Sequence, residues 1–192
     1  MTASLVFESQ RLIFHPLTIG DDDIVRQIFL DVDVMRYAGG VIAPDLISKL
    51  LPTWTRRCTG GGVGVWVVSD RQTGEKLGTT ALLPMPIFAE DTEWDLVQGD
   101  GLPSAEIEVG YLFKRAAWGR GFATEACLHV LRFAFENTPL TRIVAVTDAD
   151  NRASMHVLAK SGLRRVGWRR AYQMDLPAFE IDKAEWLTAH RI

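Results

Sequence analysis

Two glycines immediately before a long amphipathic helix are the clearest chemical feature of the sequence. Residues 118–126 have the sequence W-G-R-G-F-A-T-E-A, in which Gly119 and Gly121 precede the helical pattern. The first N–H groups of a helix have no partner within it, and the helix dipole makes that end positive. A loop without side chains lets an anion approach these groups, and a phosphate or pyrophosphate is the usual occupant. The sequence therefore predicts a phosphate-binding loop.

The spacing of these glycines argues against two common phosphate-binding motifs. A P-loop requires G-x-x-x-x-G-K-[ST], and no Lys-Ser or Lys-Thr pair directly follows the glycines. A dinucleotide fingerprint requires a third small residue where this chain has Thr124. Nucleotide binding of either type is therefore disfavoured.

The elements that would position the loop alternate between strands and helices. Strands are predicted at 11–17, 63–69, 76–83, 105–113, 142–147, 164–174 and 178–181, and helices start near residues 21, 44, 122, 151 and 182. The first helix carries Ile24, Ile28 and Val32 on one side, and the helix at 122–136 has a firm apolar period. The strand-rich start, followed by strand–helix–strand–helix–strand, indicates an α+β (α/β three-layer) protein.

Residues 84–104 interrupt this order with an acidic segment. The segment contains Glu90, Asp91, Glu93, Asp95 and Asp100 and no basic residue. Long loops in compact domains are usually functional or disordered. The segment is either a lid that attracts a cationic substrate or a solvated, mobile insertion, the second being the default expectation.

Composition and charge disfavour several classes of protein. A length of 192 residues predicts a single domain, 1–192, with a substantial core. A net charge of −3 and a pI near 5.8 argue against a nucleic-acid surface. No run approaches the roughly 18–20 apolar residues of a membrane span, and the residues from Met1 to Phe7 do not resemble a signal peptide.

Neither the cysteines nor the histidines suggest a metal centre. Cys58 and Cys127 have no metal-ligand or redox spacing, which indicates reduced thiols in a cytoplasmic protein. No metal or triad spacing connects the four histidines, His15, His129, His156 and His190. The sequence therefore predicts no metal site.

A second motif completes a resemblance to a known family. Residues 151–163 have the sequence N-R-A-S-M-H-V-L-A-K-S-G-L. With the loop at 118–126, this resembles the GCN5-related N-acetyltransferases (GNAT), and more narrowly the branch of the ribosomal-protein N-terminal acetyltransferases RimJ and RimL. The family's pyrophosphate loop, Q/R-x-x-G-x-G/A, is matched except at its first position, where this branch commonly has an aromatic residue and this chain has Trp118. The branch's N-x-x-S and K-x-G-F patterns are also met, with Leu163 in place of Phe.

The resemblance covers nearly the whole chain outside the acidic segment and implies both fold and reaction. The implied GNAT fold has a mixed central sheet of about seven strands, splayed between the fourth and fifth, with flanking helices and acetyl-CoA in the split. The implied reaction is transfer of the acetyl group to a primary amine by direct attack in a ternary complex. The residues expected to hold the cofactor's pyrophosphate are Trp118, Gly119, Arg120, Gly121, Phe122, Ala123 and Thr124. Arg115 or Arg120 is expected either to face the 3′-phosphate or simply to be solvated.

A protonated amine is not a nucleophile, so the implied reaction requires a base. Glu106 and Glu108 are two apart on a strand and hence on one face. Glu108, in the sequence E-V-G-Y, matches the family's general-base position, and two partly buried like charges would raise one pKa. The alternative for both residues is an ordinary solvent-facing pair, which is favoured for Glu106.

The leaving thiolate and the developing oxyanion also need partners. The tyrosine that many relatives use as the acid is replaced here by Leu158, so Ser154 is the candidate hydrogen-bond partner of the sulfur. The alternative for Ser154 is a helix serine that satisfies a backbone group. Asn151 is expected to cap its helix and orient the pantetheine arm. A backbone N–H near Leu112 or Phe113 is the expected oxyanion donor.

Three functions remain open at this point. A protein N-terminal α-amine is the leading acceptor by resemblance, and a small amine or antibiotic is the rival acceptor. A third possibility is a non-catalytic acyl-CoA-binding regulatory module, because fold alone does not define function. The choice between a monomer and a homodimer is also open.

Overall fold

A computed structural model describes residues 4–189 of the chain. Its strands are β1 (Phe7–Glu8), β2 (Leu12–Pro16), β3 (Gly64–Asp70), β4 (Lys76–Pro84), β5 (Ile107–Phe113), β6 (Arg142–Val146), β7 (Arg164–Ala171) and β8 (Met174–Asp182). Its helices are α1 (Asp22–Phe29), α2 (Val32–Met35), α3 (Pro44–Trp54), α4 (Phe122–Asn137), α5 (Arg152–Lys160) and α6 (Lys183–Ala189). Residues 1–3 and 190–192, which include His190, lie outside the described range.

The strands of this range form one mixed sheet that opens at its centre. Their order is β1-β2-β3-β4-β5-β6-β8-β7, and only β5 and β6 are parallel neighbours. β4 and β5 pair along seven positions, whereas the register pair between β5 and β6 is Glu108 with Val144 alone. The sheet has eight strands, one more than the seven predicted, because it includes the two-residue β1. The opening predicted between the fourth and fifth strands therefore lies between β5 and β6.

Helices cover both faces of the sheet, as the predicted three-layer architecture requires. On one face α4 packs against β2, β4 and β5, with Val130, Leu131 and Ala134 fully buried. On the other face α1, α2 and α3 form a second core with Val65, Val67 and Leu112 of the sheet. Burial of these apolar stripes, at roughly 25 cal/mol per Å², is the main contribution that holds the layers together.

Two predicted element boundaries were wrong, and each error has a local cause. α1 ends at Phe29, and Val32, 71% exposed, begins the separate helix α2, which Asp31 caps by accepting the Asp33 N–H at 2.9 Å. β8 begins at Met174 instead of residue 178, because the chain already turns within the predicted strand 164–174.

The acidic segment is packed against the domain. Val97 is fully buried, and Met85 and Thr92 are buried as well. A short 3-10 turn at Trp94–Leu96 orders its middle. The expectation of a simply solvated insertion was therefore wrong, because these side chains anchor the segment in the core.

Two further structural observations concern the described residues. No helix between residues 4 and 189 is long and apolar enough to cross a membrane. The same residues contain no group of three or more His, Cys, Asp or Glu placed to hold a metal ion.

Cys58 and Cys127 are buried, and burial raises the pKa of the Cys127 thiol to about 12, which makes it a poor nucleophile.

Candidate active site

The glycine loop before α4 has the geometry of an anion-binding loop. Gly119 and Gly121 have left-handed φ values of +71° and +78°. A β-carbon on either glycine would meet no atom closer than 3.5 Å, so open space lies beside the loop. The first intrahelical hydrogen bond runs from the Glu125 N–H to the Gly121 carbonyl at 3.1 Å. The N–H groups of residues 122–124 precede it and have no acceptor within the helix. These groups point along the positive end of a 16-residue helix.

Glu125 fixes this loop to the start of the chain. One carboxylate oxygen of Glu125 accepts the Ser9 hydroxyl at 2.6 Å and the Arg11 N–H at 2.8 Å. The other accepts Arg11 Nε at 2.7 Å, and Arg11 Nη1 donates to the Arg120 carbonyl at 3.0 Å. The motif at 9–12 and the glycine loop, separated by more than 100 residues, therefore form one unit.

The two candidate arginines have different surroundings. Arg115 forms salt bridges with Asp31 at 3.0 Å and Asp33 at 2.6 Å, so its charge is compensated. Arg120 forms no salt bridge within the described part of the chain, and its guanidinium lies over the Phe122 ring, 4.6 Å from the centroid. Of the two, Arg120 is the one whose charge has no acidic partner within 4 Å among the described residues.

A cavity of about 350 Å³ lies beside the glycine loop. Its lining residues are Gln10, Gly121, Thr124, Glu125, Leu128, His129 and Lys160. Lys160, at the end of α5, lines this cavity together with Thr124 and Glu125 from the start of α4. Lys160 belongs to the motif at 151–163, but no sequence signal connected it with this site. Trp118 Nε1 donates to the Phe113 carbonyl at 2.7 Å, but the side chain is 49% exposed, whereas Phe122 is buried.

Glu108 is a buried carboxylate at the base of the sheet opening. It is 8% exposed, and its Oε1 accepts a hydrogen bond from the Tyr172 hydroxyl. Its partner Val144 belongs to an apolar cluster with Met85, Ala171 and Leu176. Burial raises the pKa of Glu108 to about 7, the nearby Asp91 charge adds to the rise, and the Tyr172 hydrogen bond opposes it.

Glu106 does not act as the second carboxylate that the sequence pairing suggested. Its Oε2 accepts Arg169 Nη1 at 2.6 Å, and the side chain is 46% exposed. The like charge near Glu108 comes instead from Asp91 of the acidic segment. Glu106 is therefore a surface ion-pair residue, and the acidic segment contributes to the electrostatics of Glu108.

The backbone of β5 directs N–H groups into the opening. The Met85 N–H donates to the Glu106 carbonyl, and the Lys114 N–H donates to the Leu77 carbonyl. In this register the N–H and C=O groups of the even-numbered residues of β5 point to β4. The odd-numbered residues therefore face β6, which pairs only at Glu108. Beyond that point the N–H groups of Tyr111 and Phe113 point into the split. Leu112, whose N–H points to β4, is therefore not placed to donate to an oxyanion in the split, whereas Tyr111 and Phe113 are.

Asn151 and Ser154 form a local capping arrangement that reaches β5. Asn151 Oδ1 accepts the Ser154 N–H at 3.1 Å, so the predicted cap of α5 is present. The Ser154 hydroxyl lies 3.0 Å from the Tyr111 hydroxyl, and the Ser154 carbonyl lies 3.2 Å from it. Leu158 is buried in the main core, so no tyrosine acid stands at that position. The phenol beside Ser154 is that of Tyr111, from β5.

These groups lie on the two sides of the sheet opening. Side chains alternate along a strand, so Tyr111 projects towards α4 and α5 whereas Glu108 projects from the opposite face. The glycine loop and Ser154 are on the first side, and the β5–β6 split connects them with Glu108. An acyl group held from one side can thus meet a nucleophile that enters from the other side.

A family model for the acetyltransferase (GNAT) domain matches residues 11–164, which is most of the chain and includes the glycine loop, Glu108 and Ser154. The chain belongs to the GNAT acetyltransferase family. GNAT enzymes use acetyl-CoA, and the protein is an acetyl-CoA-dependent acetyltransferase.

Sequence alignments with two relatives cover most of this chain and most of each relative. YkkB of Bacillus subtilis is 29% identical over 154 residues, 80% of this chain and 81% of YkkB. The FsC-acetyl coenzyme A-N(2)-transacetylase of Aspergillus fumigatus is 28% identical over 197 residues, 96% of this chain and 79% of that protein. The solved spermidine N-acetyltransferase of Vibrio cholerae, in complex with CoA and spermine, superposes with a TM-score of 0.69 at 16% identity, covering 93% of this chain and 99% of that one. At this identity the last comparison shows the fold.

The GNAT site contains residues for which the sequence offered little signal. Tyr111 stands in the quoted E-V-G-Y pattern, and strand alternation alone places it on the face opposite Glu108. Tyr172 and Asp91 are 64 and 17 positions away from Glu108 in the chain, and no motif connects them with it. Only the folded arrangement of β7, β8 and the acidic segment identifies them.

Proposed function

We propose that the protein, acting as one domain over 1–192, transfers the acetyl group of acetyl-CoA to a protein N-terminal α-amine. The observation that carries this proposal is the buried Glu108 carboxylate, of pKa about 7, at the sheet opening. Its placement on the side opposite the glycine loop suits a base for an incoming amine. The W-G-R-G loop and the N-x-x-S motif support placement in the RimJ/RimL-like branch.

A base with a pKa near 7 takes a proton from an α-ammonium at lower cost than from a lysine-type ammonium. Moving a proton from an α-ammonium of pKa about 8 to a carboxylate of pKa about 7 costs about 1.4 kcal/mol. The same transfer from an ammonium of pKa about 10.4 costs about 4.6 kcal/mol. The difference, roughly 250-fold in the concentration of the reactive pair, comes from the amines' own pKa values and favours an α-amine as the acceptor.

The glycine loop fits the diphosphate of acetyl-CoA, which supplies the activated acetyl group when bound. The N–H groups of residues 122–124 would bind phosphate oxygens, with Arg120 and Lys160 adding positive charge. The Phe113 N–H in the split would stabilise negative charge on the acyl oxygen. Ser154, with Asn151 holding its backbone, would hydrogen-bond the leaving sulfur.

A calorimetric titration and an acceptor panel test the proposal. We expect micromolar binding of acetyl-CoA without binding of ATP or NADH, and acetylation of unblocked peptides but not of N-terminally blocked peptides that contain lysine. The rate should rise with pH through about pH 7, as Glu108 ionises. Absence of acetyl-CoA binding would refute both the proposal and the acyl-CoA-binding alternative. Binding without turnover of any amine would refute the catalytic role and leave the non-catalytic alternative.

The acidic segment favours a second candidate, a small polycationic amine. Its five carboxylates and absence of basic residues would raise the local concentration of such an acceptor. The Vibrio cholerae neighbour acts on spermidine according to its name. Including spermidine in the panel separates the candidates, because preference for spermidine over every unblocked peptide would reassign the acceptor.

The contact between Tyr111 and Ser154 leads to a second prediction for the thiolate side. Ser154→Ala should lower kcat by about 10-fold or more, the value of one hydrogen bond to a charged group. Tyr111→Phe should lower kcat less, because Tyr111 acts by orienting the Ser154 hydroxyl. The double variant should match Ser154→Ala alone in a double-mutant cycle of kcat. Fully additive losses would mean that Tyr111 acts independently of Ser154.

A further inference from the structure

The turn between β7 and β8 has a backbone conformation that its residues do not favour. Tyr172 and Gln173, between the paired residues Ala171 and Met174, have φ values of +52° and +60°. Such two-residue turns normally contain Asn or Gly, because left-handed conformations cost other residues about 1 kcal/mol or more each. A strained turn of this kind persists only where surrounding contacts hold it.

The segment that follows β4 provides these contacts. The Tyr172 N–H donates to the Pro86 carbonyl at 3.0 Å, and the Gln173 N–H donates to the Ile87 carbonyl at 3.4 Å. The Gln173 side-chain amide donates to the Phe88 carbonyl at 2.8 Å. Three hydrogen bonds therefore tie the turn to the start of the acidic segment.

The strained turn directs the Tyr172 side chain inward onto Glu108. The Tyr172 hydroxyl donates to Glu108 Oε1 and closes the apolar cluster that contains Met85 and Leu176. Because Glu108 is almost fully buried, an amine can reach its carboxylate only if a covering group moves. Tyr172 is the covering group that is itself a hydrogen-bond donor.

We propose, as an extension of the proposed function, that Tyr172 is the positioning residue of Glu108 and that the acceptor amine reaches the carboxylate by replacing the Tyr172 hydroxyl. An ammonium N–H makes a charge-assisted hydrogen bond to a carboxylate, which is roughly twice as strong as a neutral one. The exchange thus favours cationic amines over water.

The other charged groups around Glu108 do not provide the same control. Asp91, from the acidic segment, is negative and cannot donate a hydrogen bond when ionised. Arg169, from β7, is bonded to Glu106 at 2.6 Å and to Glu180 at 3.3 Å. Its positive charge is therefore already compensated on this face. The hydrogen bond that holds the ionised form of Glu108 is the one from Tyr172.

Tyr172→Phe tests the positioning role without any substrate. In protein with ¹³C-labelled glutamate, the Glu108 carboxyl should titrate about one pH unit higher in the variant, since a hydrogen bond to the ionised form is lost. Tyr37→Phe, which removes the hydroxyl of a part-exposed tyrosine elsewhere, is the matched control and should leave the titration unchanged. An unchanged Glu108 titration in Tyr172→Phe would overturn the positioning role, whether or not the protein acetylates any amine.

Kinetics with an unblocked alanine-starting peptide test the exchange. The acid limb of kcat in Tyr172→Phe should move to higher pH with the NMR titration. On the high-pH plateau the peptide KM should fall about fivefold, because one hydrogen bond no longer has to be broken. A rise in peptide KM would overturn the exchange and make Tyr172 a peptide-binding residue. Thermal unfolding checks that the variant is folded.

Discussion

Glu108→Gln is expected to lower kcat by about 10²- to 10⁴-fold, the usual contribution of a general base. The glutamine amide has the size of the carboxyl group and can still accept the Tyr172 hydrogen bond, but it cannot take a proton from the amine. Acetyl-CoA affinity should not change, because Glu108 projects from the face opposite the glycine loop. The measurement is steady-state kinetics together with calorimetric titration of acetyl-CoA.

The same substitution should stabilise the protein at high pH. The pKa of Glu108 is raised from 4.5 to about 7 on folding, so the folded state binds more protons than the unfolded state between these values. Stability is therefore lost as pH rises from about 4.5 to 7, by roughly 3 kcal/mol in total. Glu108→Gln removes this loss, so its free energy of unfolding should exceed that of the wild type at pH 8 and the difference should vanish near pH 4.

Glu106→Gln is the matched control for Glu108→Gln. Glu106 lies two residues away on the same side of β5 but is part-exposed and paired with Arg169. Its replacement should leave kcat near normal and change stability by less than about 1 kcal/mol, as for a surface ion pair. A comparable loss of kcat in both variants would contradict the assignment of Glu108 as base, as would loss of acetyl-CoA affinity in Glu108→Gln alone.

The features predictable from the sequence are those set by local backbone rules. The period of α4 is matched by buried Ala126, Cys127 and Val130, because a long helix of firm period has only one way to bury its stripe. Gly119 and Gly121 were expected to keep side chains away from an anion-binding loop, and open space lies beside both. The helix cap at Asn151 is present for the same kind of reason.

The features that sequence reasoning missed depend on contacts between distant residues. Tyr172 and Gln173 form a tight turn without Asn or Gly, so no turn signal marked it and the strand boundary was predicted too late. The pKa of Glu108 depends on burial by β7, β8 and the acidic segment, and not on the neighbouring Glu106. Val32 continued the helical period of α1 but lies in α2, because Asp31 starts a new helix. Periodicity and spacing describe one element at a time, and these properties arise where several elements meet.

Gly121→Val is expected to weaken acetyl-CoA binding by at least about 100-fold and to change kcat at saturation little. A left-handed φ of +78° costs a β-branched residue about 1–2 kcal/mol. A valine side chain would also fill the open space beside the loop and keep phosphate oxygens from the N–H groups of residues 122–124. Charge-assisted hydrogen bonds contribute about 1.5–3 kcal/mol each, so losing one or two of them accounts for the expected loss. Calorimetric titration of acetyl-CoA is the measurement.

Backbone strain alone must be separated from the loss of the phosphate site. Gly60 has a φ of +63° and open space beside it, and it lies in the connection between α3 and β3. Gly60→Val therefore carries a similar strain without touching the glycine loop. We expect both variants to lose similar stability in thermal unfolding, whereas only Gly121→Val loses acetyl-CoA affinity. Equal losses of affinity would mean that strain, and not the anion site, controls binding. Unchanged affinity in Gly121→Val would show that the diphosphate binds elsewhere on the protein.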